Sequence, residues 1–223
     1  MTWLPDELAS AGAEHLDPEY VARYERKAGY DPTDDVESLV ARGVRTVVDL
    51  GAGTGVFTRA IAPHVERVVA VDVSPAMVER LRSSRPPNVE VVHAGFLSYE
   101  HRGDPVDAVF TRHALHQLPD LWKAVALRRV ADLVRPGGVL LLRDLVWSCD
   151  ADELPARAEQ WLASASPDGE VGWTRAELEE HLTIEHSTYS WLLLPMLRRA
   201  GFVVSAREIG PFGAYLALYC IRR

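Results

Sequence analysis

The 223-residue chain has only two cysteines, Cys149 and Cys220, and no Cys-x-x-Cys spacing. A disulfide framework and a thiolate-bound zinc ion are therefore not expected. No apolar run approaches the length needed to cross a bilayer. The opening MTWLPDELAS has no basic stretch leading into an apolar one, so no secretory signal is expected and a cytoplasmic location is. Basic residues are outnumbered, 24 against 32 acids, giving a net charge of −8. They form no stripe with interleaved aromatics, which argues against a nucleic-acid or membrane partner. What remains is an ordinary soluble composition, long enough for one α/β domain with its own core.

The most informative segment present is VVDLGAGTG, residues 47–55. Val47 and Val48 read as a buried strand that Asp49 closes. Gly51, Gly53 and Gly55 follow at alternate positions. Glycine permits positive φ and lets a ligand approach the backbone without a Cβ in the way. A second apolar run, RVVAVD (residues 67–72), ends in Asp72. A glycine loop after one strand, with an acid at the tip of the next, is how an open α/β sheet holds an adenosine-containing cofactor. The spacing is G-x-G-x-G, one residue away from the dinucleotide fingerprint G-x-G-x-x-G.

The loop resembles motif I of the class I S-adenosylmethionine (SAM) methyltransferases. Four further segments extend the resemblance in order: NVEVVHAGF (88–96), DAVFTRHALHQLPD (107–120), LVRPGGVLLLRD (133–144) and LRRAGFVV (197–204). It covers residues 44–223 and implies a Rossmann-like, doubly wound α/β fold. The implied sheet has seven strands, mostly parallel with an antiparallel last strand (AYLALYCIRR, 214–223) and helices on both faces. SAM is the implied cofactor. Asp49, Gly51, Ala52, Gly53, Gly55, Asp72, Val73, Gly95, Phe96, Arg112 and Tyr24 are the implied contacts, with Asp72 on the ribose hydroxyls. One departure is visible: many relatives carry an acid near the third strand tip for the adenine amino group, and here stand Ala94, Gly95 and Phe96. Backbone groups and apolar contact would then hold adenine.

Residues 1–43 read as a helical leader, with Asp17-Pro18 and Asp31-Pro32 as candidate helix starts. Its Tyr20, Tyr24 and Tyr30 either reach the cofactor or pack the leader onto the sheet. Ser74-Pro75 is another helix entry, Asp120 is a candidate N-cap, and Pro195 predicts a kink or break. Residues 145–189 interrupt the strand–helix alternation and carry Trp147, Trp161, Trp173 and a capping-box pattern from Thr174 to Glu177. Ligands bind at the carboxyl ends of the strands, so this insertion is expected as a substrate lid.

The expected chemistry is direct displacement at the sulfonium methyl onto a small-molecule acceptor. The Asn/Asp-Pro-Pro-Tyr motif of relatives that methylate amide or base nitrogens is replaced by Thr111, Arg112 and His113. His113 and His116 are the candidate catalytic residues, as base or substrate-orienting donor, with His181 and His186 behind them. The pair is three residues apart without further ligands at matching spacing, so no metal is expected. Arg112 and Asp144 sit at strand ends and could pair. A non-catalytic SAM-binding module and an NAD(P)-dependent oxidoreductase are the alternatives. The acceptor and the choice between monomer and homodimer stay open.

Overall fold

The computed structural model describes residues 4–10 and 17–223, so part of the leader lies outside the described residues. Five strands alternate with helices as the apolar runs predict: β1 (Thr46–Leu50), β2 (Arg67–Asp72), β3 (Val89–His93), β4 (Val106–Arg112) and β5 (Val134–Trp147). After β5 come a two-residue β6 (Thr188–Tyr189), β7 (Phe202–Ile209) and β8 (Tyr215–Arg222). The sheet order is β3-β2-β1-β4-β5-β8-β7, with β6 paired to the end of β5. Pairings among β1 to β5 are parallel, and β8 runs antiparallel to both β5 and β7. The seven-stranded path is the expected one, and the short β6 is an addition.

Alternation along the strands divides the core. Val48, Leu50, Val109, Leu140 and Leu142 point to one face, under Leu127 and Val130 of α5 (Asp120–Leu133) and Leu193 and Leu197 of α8 (Ser190–Ala200). Val47, Ala108, Phe110 and Leu141 point to the other, under Leu39 of α2 (Thr33–Val40), Phe57 and Ile61 of α3 (Val56–Ile61) and Leu81 of α4 (Pro75–Ser84). The period of two in a doubly covered sheet makes both faces apolar, which is why these strands read as continuous hydrophobic runs.

Several local signals act as expected. Asp17 accepts from the Glu19 amide at the start of α1 (Pro18–Ala28), and Ser74 caps α4 through the Met77 amide. Thr174 and Glu177 form a reciprocal capping box on α7 (Arg175–Ile184). Two expectations fail, and of the two outcomes expected at Pro195 the break is absent. Asp31 bonds the Thr33 amide and hydroxyl, but α2 begins at Thr33 behind Pro32, which offers no side-chain cap. Asp120 is the first residue of α5, not its cap; its carboxylate takes the Lys123 ammonium and the Thr188 hydroxyl. At Pro195 there is no break: α8 is helical from Ser190 to Ala200, and Leu193 and Leu197 bury it against the sheet on both sides of the proline.

The insertion packs around Trp147 and Trp161, whose rings meet edge to face at 5.8 Å, in its own apolar cluster with α6 (Leu154–Ala163). Both tryptophans are buried, so they build this subdomain instead of lining a pocket. α1 is tied to it by ion pairs of Arg23 and Arg26 to Glu170 and of Lys27 to Glu177.

Candidate active site

β1 lies between β2 and β4, and the chain crosses from one side of β1 to the other at that point. The carboxyl ends of strands flanking such a switch leave a crevice between the outgoing loops. A cleft opens there, lined by Gly51, Gly53, Asp72, Val73, Gly95, Phe96, Arg112, His113 and Tyr24, together with Glu7 and Gln117. A second, larger depression lies at the opposite strand ends, among Arg67, Arg82 and Arg85, away from the glycine loop.

The loop earns its glycines at two positions. Gly51 (φ 74°) sits so close to Ala114 that a Cβ would overlap that side chain. Gly53 (φ 55°) has no described atom within 4 Å of where its Cβ would be, so its backbone faces open cleft. The Gly53 amide donates to Asp72 Oδ2 at 2.7 Å, and the Ser74 amide donates to Asp72 Oδ1 at 2.8 Å. Both Asp72 oxygens are thereby fixed in place, on a residue that lines the cleft.

Asp49, Ala52 and Gly55 do not line the cleft. Asp49 is buried beneath the loop and accepts from the Thr58 hydroxyl at 2.5 Å. Burial, together with the nearby Asp72 and against the Thr58 hydrogen bond, pushes its carboxyl up to about 7. Gly55 is the N-cap of α3, and a Cβ there would strike Leu81 at 2.7 Å.

At the third strand tip a carboxylate arrives from elsewhere in the chain. Glu7 sends its carboxylate to the turn after β3, where it accepts from the Leu97 amide (2.9 Å), the Ser98 amide (3.0 Å) and the Ser98 hydroxyl (2.8 Å). A Cβ on Gly95 would collide with it. No local pattern announced Glu7; the only signal was the hole that Gly95 leaves.

Arg112 and Asp144 do not pair. Arg112 lies over the Tyr30 ring at 4.1 Å, while Asp144 takes His116. Tyr30 donates to Asp35 at 2.6 Å, and Tyr20 is buried against Tyr24, whose ring in turn meets Trp173 at 6.3 Å. Of the three tyrosines Tyr24 alone lines the cleft.

The two candidate catalytic histidines separate. His113 faces the cleft with φ 49°, a costly conformation for a residue with a Cβ, held by its amide bond to the Arg143 carbonyl and by stacking on Tyr215 at 5.8 Å. Burial and the Arg112 charge push its imidazole down to about 3, so it is neutral at pH 7. His116 is buried behind it and does not line the cleft. Its Nδ1 meets Asp144 Oδ1 at 2.5 Å and its Nε2 meets Glu185 Oε2 at 3.1 Å. Burial alone would lower its pKa; the two carboxylates outweigh that and hold it up at about 9. His181 joins the same cluster from the insertion, and the His186 amide bonds the His116 carbonyl at 3.0 Å.

An open α/β sheet with a glycine loop, a strand-end acid and a cleft at the switch point is a nucleoside-cofactor-binding fold. Residues 47–138 match the family model of a methyltransferase domain. An uncharacterized methyltransferase of Mycobacterium tuberculosis is 34% identical over 134 residues, 60% of this chain and 52% of the relative. The chain thus spans about half the length of that relative. An uncharacterized methyltransferase of Geobacillus kaustophilus is 26% identical over 213 residues, 90% of this chain and 94% of the relative. Among solved structures, the magnesium protoporphyrin IX methyltransferase of Synechocystis with bound SAM shares the fold at a TM-score of 0.65 and 14% identity, covering 100% of both chains. Residues 47–138 thus match a methyltransferase domain, and the whole chain shares the fold of SAM-dependent methyltransferases of known structure.

Proposed function

We propose that this chain transfers the methyl group of SAM to a small-molecule acceptor bound beside His113. The observation that carries the cofactor half is Asp72, pinned by the Gly53 and Ser74 amides at the lip of a cleft that the glycine loop and Gly95-Phe96 complete. The Asp72 carboxylate at the edge of the loop gives this end of the cleft a negative character that suits a cation. Glu7 stands where it can accept from the adenine amino group, restoring the acid that β3 lacks.

Bound SAM supplies an activated methyl carbon, and the chain has to align an acceptor with it. Tyr24, Arg112, His113 and Gln117 line that part of the cleft. A neutral His113 offers one ring nitrogen as donor and one as acceptor, which suits orienting a hydroxyl or amine. The net charge of −8 and the absence of a basic stripe favour a small acceptor over a nucleic acid. α1 and the insertion, joined by their ion pairs, form the cover over the acceptor end.

Calorimetric titration with SAM, S-adenosylhomocysteine and NADH tests the cofactor half. Binding of the first two and not the third is expected. A panel of phenols, amines, thiols and small acids then tests the acceptor, and turnover on RNA alone would overturn the small-molecule reading.

A further inference from the structure

We propose that His116, His181 and Glu185 form a binding site for one divalent transition-metal ion of zinc-like preference, which ties the insertion to the tips of β4 and β5. His116 Nε2, His181 Nδ1 and one Glu185 oxygen lie within 4.8 Å of one another, and all three residues are wholly or largely buried. Glu185 Oε2 stands 3.1 Å from His116 Nε2 and closer still to His181 Nδ1. Yet this buried oxygen has no hydrogen bond of acceptable geometry. Two imidazole nitrogens and a carboxylate oxygen converge on one point, where a cation can take the place of the proton otherwise shared among them. Ligands about 2 Å from a tetrahedral ion lie roughly 3.3 Å from each other, so small side-chain rotations suffice to seat one.

The surrounding bonds are those of a metal's outer shell. A ligating imidazole usually gives its other nitrogen to a carboxylate, hydroxyl or carbonyl, which fixes the tautomer. His116 gives Nδ1 to Asp144 Oδ1 at 2.5 Å, and Asp144 is itself held by the His116 and Leu145 amides. His181 gives Nε2 to the Ser187 hydroxyl at 2.7 Å. The second Glu185 oxygen accepts from the Gln117 amide at 3.0 Å. Asp144 and Glu185 bring two negative charges, which a divalent cation balances with both imidazoles neutral. Trp161 packs edge-on to His181 at 5.5 Å and supplies an apolar wall. Gln117 Nε2 also lies 3.1 Å from His116 Nε2, so the ion takes the lone pair that this amide now faces.

Two imidazoles and a carboxylate are a donor set for Zn(II), with one tetrahedral position left over. His181 and Glu185 come from the end of α7 and His116 from the loop after β4, so the ion spans the insertion and the sheet. Gln117 both holds Glu185 and lines the cleft, which places the ion one side chain away from the acceptor space.

The test uses the full chain, stripped with a chelator and titrated with Zn(II) alone, then loaded with Co(II) for its visible spectrum. One equivalent of Zn(II) is expected, weakened at least about 100-fold in Glu185→Gln and in His181→Asn, and about 10- to 100-fold in Asp144→Asn. The Co(II) protein should show ligand-field bands without a thiolate charge-transfer band. Failure of the folded wild-type chain to bind Zn(II) overturns the proposal. So does equal binding by the variants, or a thiolate band that assigns the ion to Cys149 or Cys220. The spectrum is read on the wild type, so it decides even where a variant does not fold.

Discussion

Glu7 and Ser98, 91 positions apart, are joined by two hydrogen bonds into one carboxylate oxygen, from the amide at 3.0 Å and the hydroxyl at 2.8 Å. The turn after β3, which forms one wall of the cleft, is thus capped by the N-terminal segment. Glu7→Ala should weaken SAM binding about 10-fold, on the order of 1.5 kcal/mol, by removing a charged acceptor and loosening that turn. Gly95→Ala should act on the same contact, since its Cβ collides with the Glu7 carboxylate. The two changes share one interaction, so the double variant should lose less than the sum. Calorimetry on all four proteins checks this, and additive losses would separate the two residues.

Asp72→Ala removes the acceptor of the Gly53 and Ser74 amides as well as the proposed ribose partner. A loss of about 2–3 kcal/mol in SAM affinity is expected, or roughly 30- to 150-fold. Unchanged affinity would take Asp72 out of the site.

Gly53→Val separates folding from binding. A Cβ at this position meets no described atom within 4 Å, so the core is untouched, but the side chain leaves a cleft-lining backbone with φ 55°. The expected result is a folded protein, with about 1–2 kcal/mol lost to the unfavourable φ, and no measurable SAM binding. A folded variant that binds SAM normally would show that the cofactor does not pass over this loop.

Asp49 gives a pH prediction. Burial first, then Asp72, raises its carboxyl to about 7 against the Thr58 hydrogen bond. A carboxyl whose folded-state pKa is raised favours the folded state fully below its unfolded value near 4, and that contribution is lost as pH climbs toward 7. Asp49→Asn has no ionisation to suffer. Its stability relative to wild type should therefore rise between pH 4 and pH 7 and level off above, by up to a few kcal/mol. Urea denaturation of both proteins across this range measures the difference, and a flat one would mean that Asp49 ionises freely in the fold.

The fold was legible because its signals are local. The apolar runs of β1 and β2, the cap at Ser74 and the capping box at Thr174 each need only a few neighbouring residues. The glycine loop and Asp72 were legible for the same reason. The rest depends on distant partners. Arg112 and Asp144 looked like a pair because each was expected to end a strand, but β5 runs on to Trp147 and Tyr30 and His116 take the two side chains. Glu7 and the cluster of His116, His181 and Glu185 join segments that no spacing rule connects. The tryptophans of the insertion carried no mark to say whether they pack or line a pocket; burial decided for Trp147 and Trp161.

His113 is where chemistry and folding can be told apart. Its φ of 49° costs on the order of 1 kcal/mol for a residue with a Cβ, and that strain aims the imidazole into the cleft. His113→Ala keeps the strain and removes the ring, whereas His113→Asn suits the backbone and keeps a shorter polar group. Alanine should lower kcat about 10- to 100-fold with SAM affinity within about threefold of wild type, since an orienting or proton-accepting group is lost. Asparagine should recover part of kcat and unfold no more readily than wild type. Because burial and Arg112 push the His113 pKa down to about 3, protonation of this ring should leave no mark on the rate between pH 5 and pH 8. Equal losses of kcat and SAM affinity in the alanine variant, or a wild-type rate that tracks an ionisation near 6.5 which His113→Asn abolishes, would contradict this role.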